Sequence, residues 1–257
     1  MDSVHQWLYK YAGILHRDLS PNNIMWRLIE EKNGRGEMER RIYGVLMDYD
    51  LSSFTATMNS DYKKTSQQRT GTPPYMAHEL LRGTSALHLY RHDLESLFYI
   101  MLLTAARHMI QTPKGENKPR VILRRPWNLP YEDWFNETHY EVLGLRKNAF
   151  FLETQPIKLS QDFEDFRPWL EDLQQSFSSG FSLGLFSSNM RTNPILRATF
   201  NSTVAEFDDG TLGGCVTYPT IMARVPDLTG ELEGLVIRDP EYQPVPEEEP
   251  PVDTATS

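Results

Sequence analysis

The chain has 257 residues, 39% of them hydrophobic, which is enough for one globular domain with additional segments. Its net charge is −9, and residues 239–257 hold six acids without a lysine or arginine, which leaves −3 for the rest. This balance excludes a protein with a strongly basic surface, and we expect no nucleic-acid partner.

Cysteine content and apolar runs indicate the compartment. Cys215 is the single cysteine, so no disulfide can form within the chain, and a reducing compartment is favoured. Asp2 and His5 interrupt any apolar segment of a signal peptide. The longest apolar run, residues 97–106, is too short to cross a bilayer. We expect a cytoplasmic or nuclear protein without a membrane partner.

The first predicted elements are a helix and a hairpin. Residues 3–12 predict an amphipathic helix that ends at Gly13. Its apolar positions are Val4, Trp7, Leu8 and Tyr11. Residues 23–26 and 42–47 predict two strands, and the polar segment between them, which holds an Asn-Gly turn signal, predicts an exposed, charged ribbon. Such a ribbon is typical of a solvated insertion without its own function.

The second half of the chain predicts helices around one buried helix. Residues 93–109 are apolar on nearly all sides, which is typical of a core helix. Residues 138–152 and 162–177 predict further helices, the second with an aromatic stripe that belongs to the core. The remaining predictions are a polar loop at 111–126, a packing segment at 127–134, a Ser/Gly-rich linker at 180–193, a weak helix at 194–207, a small hairpin at 209–222 and a disordered, acidic and proline-rich tail at 226–257.

The most informative stretch is His16-Arg17-Asp18-Leu19-Ser20-Pro21-Asn22-Asn23, in which an aspartate lies five residues before an asparagine. Asp48 follows within a second apolar run. Phosphoryl transfer from Mg·ATP needs an acceptor for the hydroxyl proton and hard oxygen ligands for the metal. Asp18 can serve as the base, and Asn23 and Asp48 can hold Mg²⁺. A tight loop would turn Asp18 and Asn23 toward one cleft.

Four motifs in this order resemble the protein kinase superfamily. Residues 16–23 resemble the catalytic loop, and residues 48–50 (Asp-Tyr-Asp) resemble the Asp-Phe-Gly metal motif. Residues 71–79 resemble the end of an activation segment, with Ala-His-Glu for Ala-Pro-Glu, and residues 90–97 resemble the start of the F helix. The Asp-Tyr-Asp variant, Ser20 and the later hairpin-like stretch are most similar to the fungal-type protein kinase family, with the casein-kinase-like group a more distant relative.

The resemblance implies a fold and a domain organisation. The fold class is mainly α, the C-terminal lobe of a protein kinase with short β-hairpins, and it would occupy residues 1–225. Within it, the activation segment spans residues 48–79 and the F helix spans residues 93–109. Residues 226–257 would form the tail.

The resemblance also implies the site. Its catalytic residues would be Arg17, Asp18, Asn23, Asp48 and Thr72, where Thr72 bridges toward Asp18 and where Asn23 and Asp48 bind ATP and Mg²⁺. The residues with a structural role would be His16, Glu79 and Asp93. Asp93 would accept hydrogen bonds from the catalytic-loop backbone, or it is a plain helix N-cap. Glu79 would pair with an arginine that the sequence does not identify.

Arg17 and the hydroxyl-rich segment 52–70 suggest a contact between a guanidinium group and a phosphorylated side chain. A guanidinium can grip a phosphate with two hydrogen bonds, so Arg17 would bind a phosphorylated Thr65 or Ser66. A loop that is ordered without phosphate fits the sequence equally well.

A complete kinase also has an N-terminal lobe with a Gly-rich loop and a lysine–glutamate pair. The sequence before the catalytic loop holds none of these, and Gly34-Arg35-Gly36 is a turn and not a phosphate cradle. We therefore expect the N-lobe to be absent and this chain alone to be nearly inactive.

Three functions remain open from the sequence. The first is a protein serine/threonine kinase that acts on a protein substrate. The second is an inactive pseudokinase or truncated interaction module, whose bare lobe interface binds the missing N-lobe or a partner protein. The third is a small-molecule phosphotransferase, against which the activation-segment motif at 71–79 argues. The sequence predicts neither the substrate nor the oligomeric state.

Overall fold

The computed structural model of the chain describes residues 4–32, 34–55, 71–85, 87–111, 120–123, 129–193, 195–196 and 207–224. In these parts the chain is mainly helical, and its strands form only two-stranded antiparallel sheets. The prediction of a mainly α fold with short hairpins is confirmed.

The helices are Val4–Trp7, His78–Arg82, Tyr90–Arg107, Glu132–Asn136, Tyr140–Leu152, Arg167–Thr192 and Tyr218–Met222. A π-helical turn, Leu8–Ala12, continues the first helix, and 3₁₀ turns lie at Pro21–Asn23, Pro73–Tyr75 and Gln161–Phe166. The strands pair as Ile14–Leu15 with Ser53–Phe54, Ile24–Lys32 with Met38–Leu46, and His108–Gln111 with Arg120–Leu123. We call Tyr90–Arg107 the central helix, Arg167–Thr192 the long helix and the second strand pair the long hairpin.

The central helix is the core of the fold. It begins three residues before the predicted start and ends two residues before the predicted end. Its apolar side chains pack on the helices Tyr140–Leu152 and Arg167–Thr192: the ring centroids of Phe98 lie 5.6 Å from Phe151 and 5.7 Å from Phe177. The predicted aromatic stripe therefore does belong to the core. The first turns of the central helix are buried although they are polar, which marks them for a role other than apolar packing.

The first helix ends at Gly13, as predicted, with Gly13 in the left-handed region at φ 62°. Its expected apolar face is not buried, however, since Val4, Trp7 and Tyr11 are 62%, 52% and 56% exposed. The helix instead packs through His5 and Tyr9, whose rings stack on Tyr90 at centroid distances of 4.9 and 4.1 Å.

The long hairpin extends well beyond the predicted strands, with a register that runs from Ile24 opposite Leu46 to Lys32 opposite Met38. A two-stranded sheet without a covering layer leaves both faces open to solvent. Large apolar side chains of the hairpin are therefore exposed, including half of the Met25 surface. The predicted exposed ribbon is confirmed.

The prediction of a linker at residues 180–193 is wrong, because these residues continue the long helix to Thr192. Its glycines lie where the segment 207–216 packs closely against it. A β-carbon at Gly180 would come within 2.7 Å of Leu212 Cβ, and one at Gly184 would come within 3.1 Å of the Phe207 ring. These small residues serve close packing between two parts of the chain.

Two other predictions are corrected. The hairpin expected at 209–222 is a turn followed by the helix Tyr218–Met222; Gly213 and Gly214 take positive φ of 67° and 87° in the turn. The described parts of the loop expected at 111–126 lie in strands, where the β-branched Val121 and Ile122 favour the extended backbone. Most of the weak helix expected at 194–207, and the whole of the 226–257 tail, lie outside the described residues.

No helix in the described ranges combines the length and the apolar character needed to cross a membrane.

The close packing at Gly180 gives a test of the fold. Alanine normally stabilises a helix relative to glycine. We expect the opposite for Gly180→Ala, a loss of about 1–3 kcal/mol in the free energy of unfolding, because the new methyl group overlaps Leu212. Urea unfolding followed by circular dichroism measures this change. Ser182→Ala, at an exposed position of the same helix, is the matched control and should be neutral or slightly stabilising. A stabilised Gly180→Ala protein would contradict the packing of the 207–216 segment on the long helix.

Candidate active site

The site is built around the carboxylate of Asp93, in the first turns of the central helix. Oδ2 of Asp93 accepts a hydrogen bond from the backbone N–H of His16 at 3.1 Å, and Oδ1 accepts one from the backbone N–H of Arg17 at 3.3 Å. The N-cap of this helix is Leu89, so the plain N-cap interpretation of Asp93 is wrong. The carboxylate instead fixes the backbone at the start of the 16–23 loop.

Two histidines complete the surroundings of this carboxylate. His5 Nε2 lies 3.2 Å from Oδ2 of Asp93, and His88 Nε2 lies 2.8 Å from Oδ1. Burial opposes ionisation of Asp93, but the charge of His88 and the hydrogen bonds from His5 and His88 outweigh it and hold the pKa of Asp93 well below its ordinary value. Asp93 is therefore a buried anion with four donors from three parts of the chain.

The 16–23 loop brings Asp18 and Asn23 together. Arg17 takes a left-handed backbone conformation at φ 73°, and a 3₁₀ turn ends the loop at Asn23. The side-chain amide of Asn23 donates to the backbone carbonyl of Asp18 at 2.8 Å and approaches its Oδ2 at 3.3 Å. The orientation of Asp18 is thus fixed from inside the loop.

Thr72 fixes Asp18 from outside the loop. Its backbone N–H and its hydroxyl both donate to Oδ1 of Asp18, at 3.0 and 3.1 Å. Gly71 allows this approach, since it has a φ of 125° and a β-carbon there would come within 2.9 Å of the Met76 side chain. The structure therefore joins Thr72 and Asp18, which are 54 residues apart in the chain.

His16 ties the loop to the segment that carries Asp48. Its Nε2 lies 2.9 Å from the carbonyl oxygen of Met47, and the N–H of Met47 donates to the carbonyl of Asn23 at 2.8 Å. The ring of Tyr49 contacts the imidazole of His16 edge to face at 4.8 Å. Asp48 is exposed and takes a φ of 60°. Asn23 and Asp48 therefore lie at the same end of the long hairpin.

The donor set at this end suits Mg²⁺, which prefers carboxylate and amide oxygens. Because the amide nitrogen of Asn23 is engaged with Asp18, its carbonyl oxygen Oδ1 is the atom that can meet a cation. The carboxylate of Asp48 would supply the second ligand. Elsewhere, the described parts of the chain contain no cluster of three or more His, Cys, Asp or Glu side chains that could hold a metal.

Comparison with known proteins agrees with this geometry. Residues 3–105 match the model of the fungal protein kinase family. Over this range the chain is similar to the fungal protein kinases. It is also 28% identical over 145 residues to the serine/threonine-protein kinase CHK1 of Saccharomyces cerevisiae, a match that covers 55% of this chain and 25% of that protein. The chain thus matches about a quarter of the length of this relative. No solved structure matches the chain.

The fold described above is therefore mainly α and like that of a kinase C-terminal lobe, and the central helix occupies the place of the F helix in this resemblance. Residues 71–79, which resemble the end of an activation segment, are tied to this helix by ion pairs. Arg91 pairs with Glu79, and its guanidinium also donates to the backbone and side chain of Asp209 at 2.6 and 3.1 Å. Arg91 is the arginine partner of Glu79 that the sequence did not identify. Burial opposes ionisation of Glu79, but His92 and Arg91 lower its pKa far below the ordinary value.

His78, which replaces the proline of the kinase motif, has a partner that proline could not have. Its backbone N–H and its ring Nδ1 meet Oε1 of Glu95 at 2.8 and 3.1 Å, and the hydroxyl of Tyr99 donates to the same oxygen at 2.6 Å. Proline has no N–H and no side-chain donor. The buried Glu95 on the F helix thus compensates for the departure from the kinase pattern.

Sequence reasoning missed several residues of this site. They are His5, His88, Arg91, Glu95 and Lys147. A signal was available for some of them. The first turns of a helix that is otherwise apolar on all sides contain three charged side chains, and charged residues on a buried helix need partners within the protein. Residues 56–70 lie outside the described part of the chain, so the phosphate-binding role of Arg17 stays a prediction.

The buried His92 makes the stability of the fold depend on pH. Its Nδ1 accepts a hydrogen bond from the N–H of Leu89 at 3.0 Å, and its Nε2 lies 3.3 Å from Glu79 Oε2. Burial lowers the pKa of His92 from 6.5 to about 4, against the attraction of Glu79. The folded protein thus keeps the neutral ring with the proton on Nε2, because a proton on Nδ1 would break the bond from Leu89.

Between pH 6.5 and 4.5 the unfolded chain binds a proton at His92 that the folded chain does not, so stability falls as the pH falls. We expect His92 to contribute a loss of about 2–3 kcal/mol in the free energy of unfolding across these two pH units. His92→Asn should remove this contribution and flatten the pH dependence. Urea titrations at several pH values measure it. His139→Asn, at an exposed histidine, should leave the pH dependence in place; a wild-type slope in His92→Asn would contradict the neutral, buried imidazole.

Proposed function

We propose that the chain carries the C-terminal lobe of a protein serine/threonine kinase, which transfers the γ-phosphoryl group of Mg·ATP to a hydroxyl of a protein substrate. One observation supports this most strongly: the carboxylate of Asp18 is held by Asn23 from within the loop and by Thr72 from the 71–79 segment. A base that is fixed between the nucleotide side and the substrate side of a cleft suits transfer to a bound hydroxyl group.

Each residue has a role in this proposal. Asp18 orients the substrate hydroxyl and accepts its proton as the phosphoryl group is transferred. Asn23 Oδ1 and the Asp48 carboxylate would hold the cation. Bound Mg·ATP supplies the phosphoryl group, and its cation neutralises the charge that develops on the phosphate oxygens. Ser20 places a neutral side chain where kinases usually have a lysine, so more of this charge falls to the cation.

The 71–79 segment supports a protein substrate over a small molecule. It packs on the F helix through Glu79 and His78, and it reaches Asp18 through Thr72. A segment that is fixed at both ends beside the base provides a stable edge for an extended peptide. The serine/threonine-protein kinase to which the chain is similar agrees with this substrate class.

A second function, as an interaction module, is favoured by one specific observation. Large apolar side chains of the first helix and the long hairpin are exposed in the described part of the chain. They include Trp7 (52%), Tyr11 (56%), Met25 (50%) and Trp26 (40%). Exposed apolar surface of this kind is typical of a face that another domain or protein covers. A kinase N-lobe or a partner protein would fit it.

The variant Asp18→Asn tests the kinase function. It keeps the shape of the side chain and removes the proton acceptor. In a protein that joins this chain to a kinase N-lobe, we therefore expect transfer from Mg·[γ-³²P]ATP to serine/threonine peptides to fall by at least about 100-fold. Asp165→Asn, at an exposed aspartate, is the matched control and should keep the wild-type rate.

The alternatives give different results in the same assay. Mg·ATP binding without transfer to any acceptor would favour the interaction module. Transfer to aminoglycosides or amino-alcohols, and not to peptides, would show a small-molecule phosphotransferase. An Asp18→Asn protein with wild-type peptide phosphorylation would overturn the assignment of the base.

A further inference from the structure

We propose that Lys147 is a positioning residue for the phosphoryl-transfer site, which fixes the turn at residues 73–76 and thereby holds Thr72 against Asp18. Lys147 lies on the helix Tyr140–Leu152, outside every motif of the kinase resemblance. This inference rests on the proposed function for its catalytic consequence, but the positioning itself can be tested without activity.

The first step is the contact between Lys147 and the turn. The side chain is fully buried, and its Nζ lies within hydrogen-bond distance of three backbone carbonyl oxygens. These are the oxygens of Pro73 at 3.3 Å, Pro74 at 2.8 Å and Met76 at 2.7 Å. Three acceptors around one nitrogen match the three N–H donors of an ammonium group, whereas a neutral amine has only two.

The second step is the connection from the turn to Thr72. The carbonyl of Thr72 accepts hydrogen bonds from the N–H of Tyr75 at 2.9 Å and from the N–H of Met76 at 3.1 Å. Pro73 and Pro74 have no N–H, so the turn has few donors of its own and depends on groups from elsewhere. Lys147 thus binds carbonyl groups of the turn, while the N–H groups of the same turn bind the carbonyl of Thr72. The other polar groups of Thr72, its N–H and hydroxyl, donate to Asp18.

The third step is the cost of the buried charge. Burial lowers the pKa of Lys147 well below its ordinary value, and the negative charge of Glu95 acts against this shift. The ring of Tyr99 also faces the ammonium, with Nζ 4.0 Å from the ring centroid, and Trp134 lies at 5.3 Å. Glu95 is the same F-helix residue that accepts hydrogen bonds from His78, and Tyr99 donates to the same Glu95 oxygen. One buried polar group of the F helix and one lysine thus hold residues 73–78 from two sides.

A buried lysine that only filled space would be replaced without loss by an apolar side chain of the same length. The positioning role predicts a local effect instead. Lys147→Met keeps the length and leaves three buried carbonyls without their donor. Arg146→Met is the matched control, since Arg146 is the preceding residue of the same helix but is 43% exposed and pairs with Asp133 at the surface.

Hydrogen–deuterium exchange on the 257-residue chain measures the local effect. In Lys147→Met we expect the amides of Thr72, Tyr75 and Met76 to exchange at least about tenfold faster than any general change in stability accounts for. The general change is read from amides in the middle of the long helix. Arg146→Met should leave the Thr72, Tyr75 and Met76 amides protected. Equal acceleration across the chain in Lys147→Met would overturn the inference and show a role in stability alone.

If Lys147→Met does not fold, Lys147→Gln replaces it, because glutamine keeps two N–H donors without a buried charge. In this variant the amides of Thr72, Tyr75 and Met76 should exchange faster than in the wild type, but more slowly than the amides of an unfolded segment. Wild-type protection in a folded Lys147→Gln protein would contradict the requirement for the ammonium.

Kinetics separate this inference from the proposed function. In the protein that joins this chain to a kinase N-lobe, Lys147→Met should lower kcat for peptide phosphorylation about 10- to 100-fold, because Asp18 loses its outer hydrogen bonds, while the KM for ATP changes less than about twofold. In a Thr72→Ala background, Lys147→Met should lower kcat by a smaller factor than in the wild type, because the hydroxyl contact with Asp18 is already lost and only the backbone N–H contact remains.

Additive losses in this double-variant cycle would overturn the role of Lys147 through Thr72, even in an active kinase. Conversely, a chain that transfers no phosphate but exchanges faster at Thr72 in Lys147→Met would retain the positioning role and lose the proposed function.

Discussion

The buried carboxylate of Asp93 is the interaction on which the rest of the site depends. It accepts two backbone hydrogen bonds from the 16–23 loop and meets two imidazoles, so the desolvated anion is surrounded by donors. A loop that carries a proton acceptor cannot be fixed by apolar packing alone, because its polar backbone must find partners. Asp93 provides them from a helix that is itself the core of the fold. The central helix therefore fixes the position of the 16–23 loop.

The 71–79 segment is attached to the same helix by a different set of charges. Arg91 pairs with Glu79, Glu95 accepts from His78, and Lys147 reaches the preceding turn from a neighbouring helix. Each of these buried charges would be costly without its partner, and each has one in a separate part of the chain. Because the 16–23 loop and the 71–79 segment are both attached to the central helix, Asp18 and Thr72 meet within hydrogen-bond distance although they belong to different segments. The unusual histidine at position 78 is accommodated within this arrangement.

Features that are encoded by short sequence patterns were predicted from the sequence. The loop spacing, the central helix and the stop at Gly13 each depend on a few neighbouring residues. Exposure of the first helix was not predicted, because periodicity shows which residues share a face and not what covers that face. The serine and glycine residues after position 180 have the composition of a linker, but they allow close approach of a distant segment. Lys147 could not have been found, since a single lysine in a helix gives no pattern until the turn at residues 73–76 is placed beside it.

The contacts of Asp93 also bear on how the chain folds. Those with His5, His16 and Arg17 join positions 76 to 88 residues apart, whereas the contacts within the central helix join near neighbours. Closing such long loops costs entropy before any contact compensates for it, so local helices form first and distant partners dock later. The 16–23 loop therefore acquires its final shape only after the helices have assembled. A nascent chain would therefore carry an unformed 16–23 loop until Asp93 and the helices around it have been synthesised.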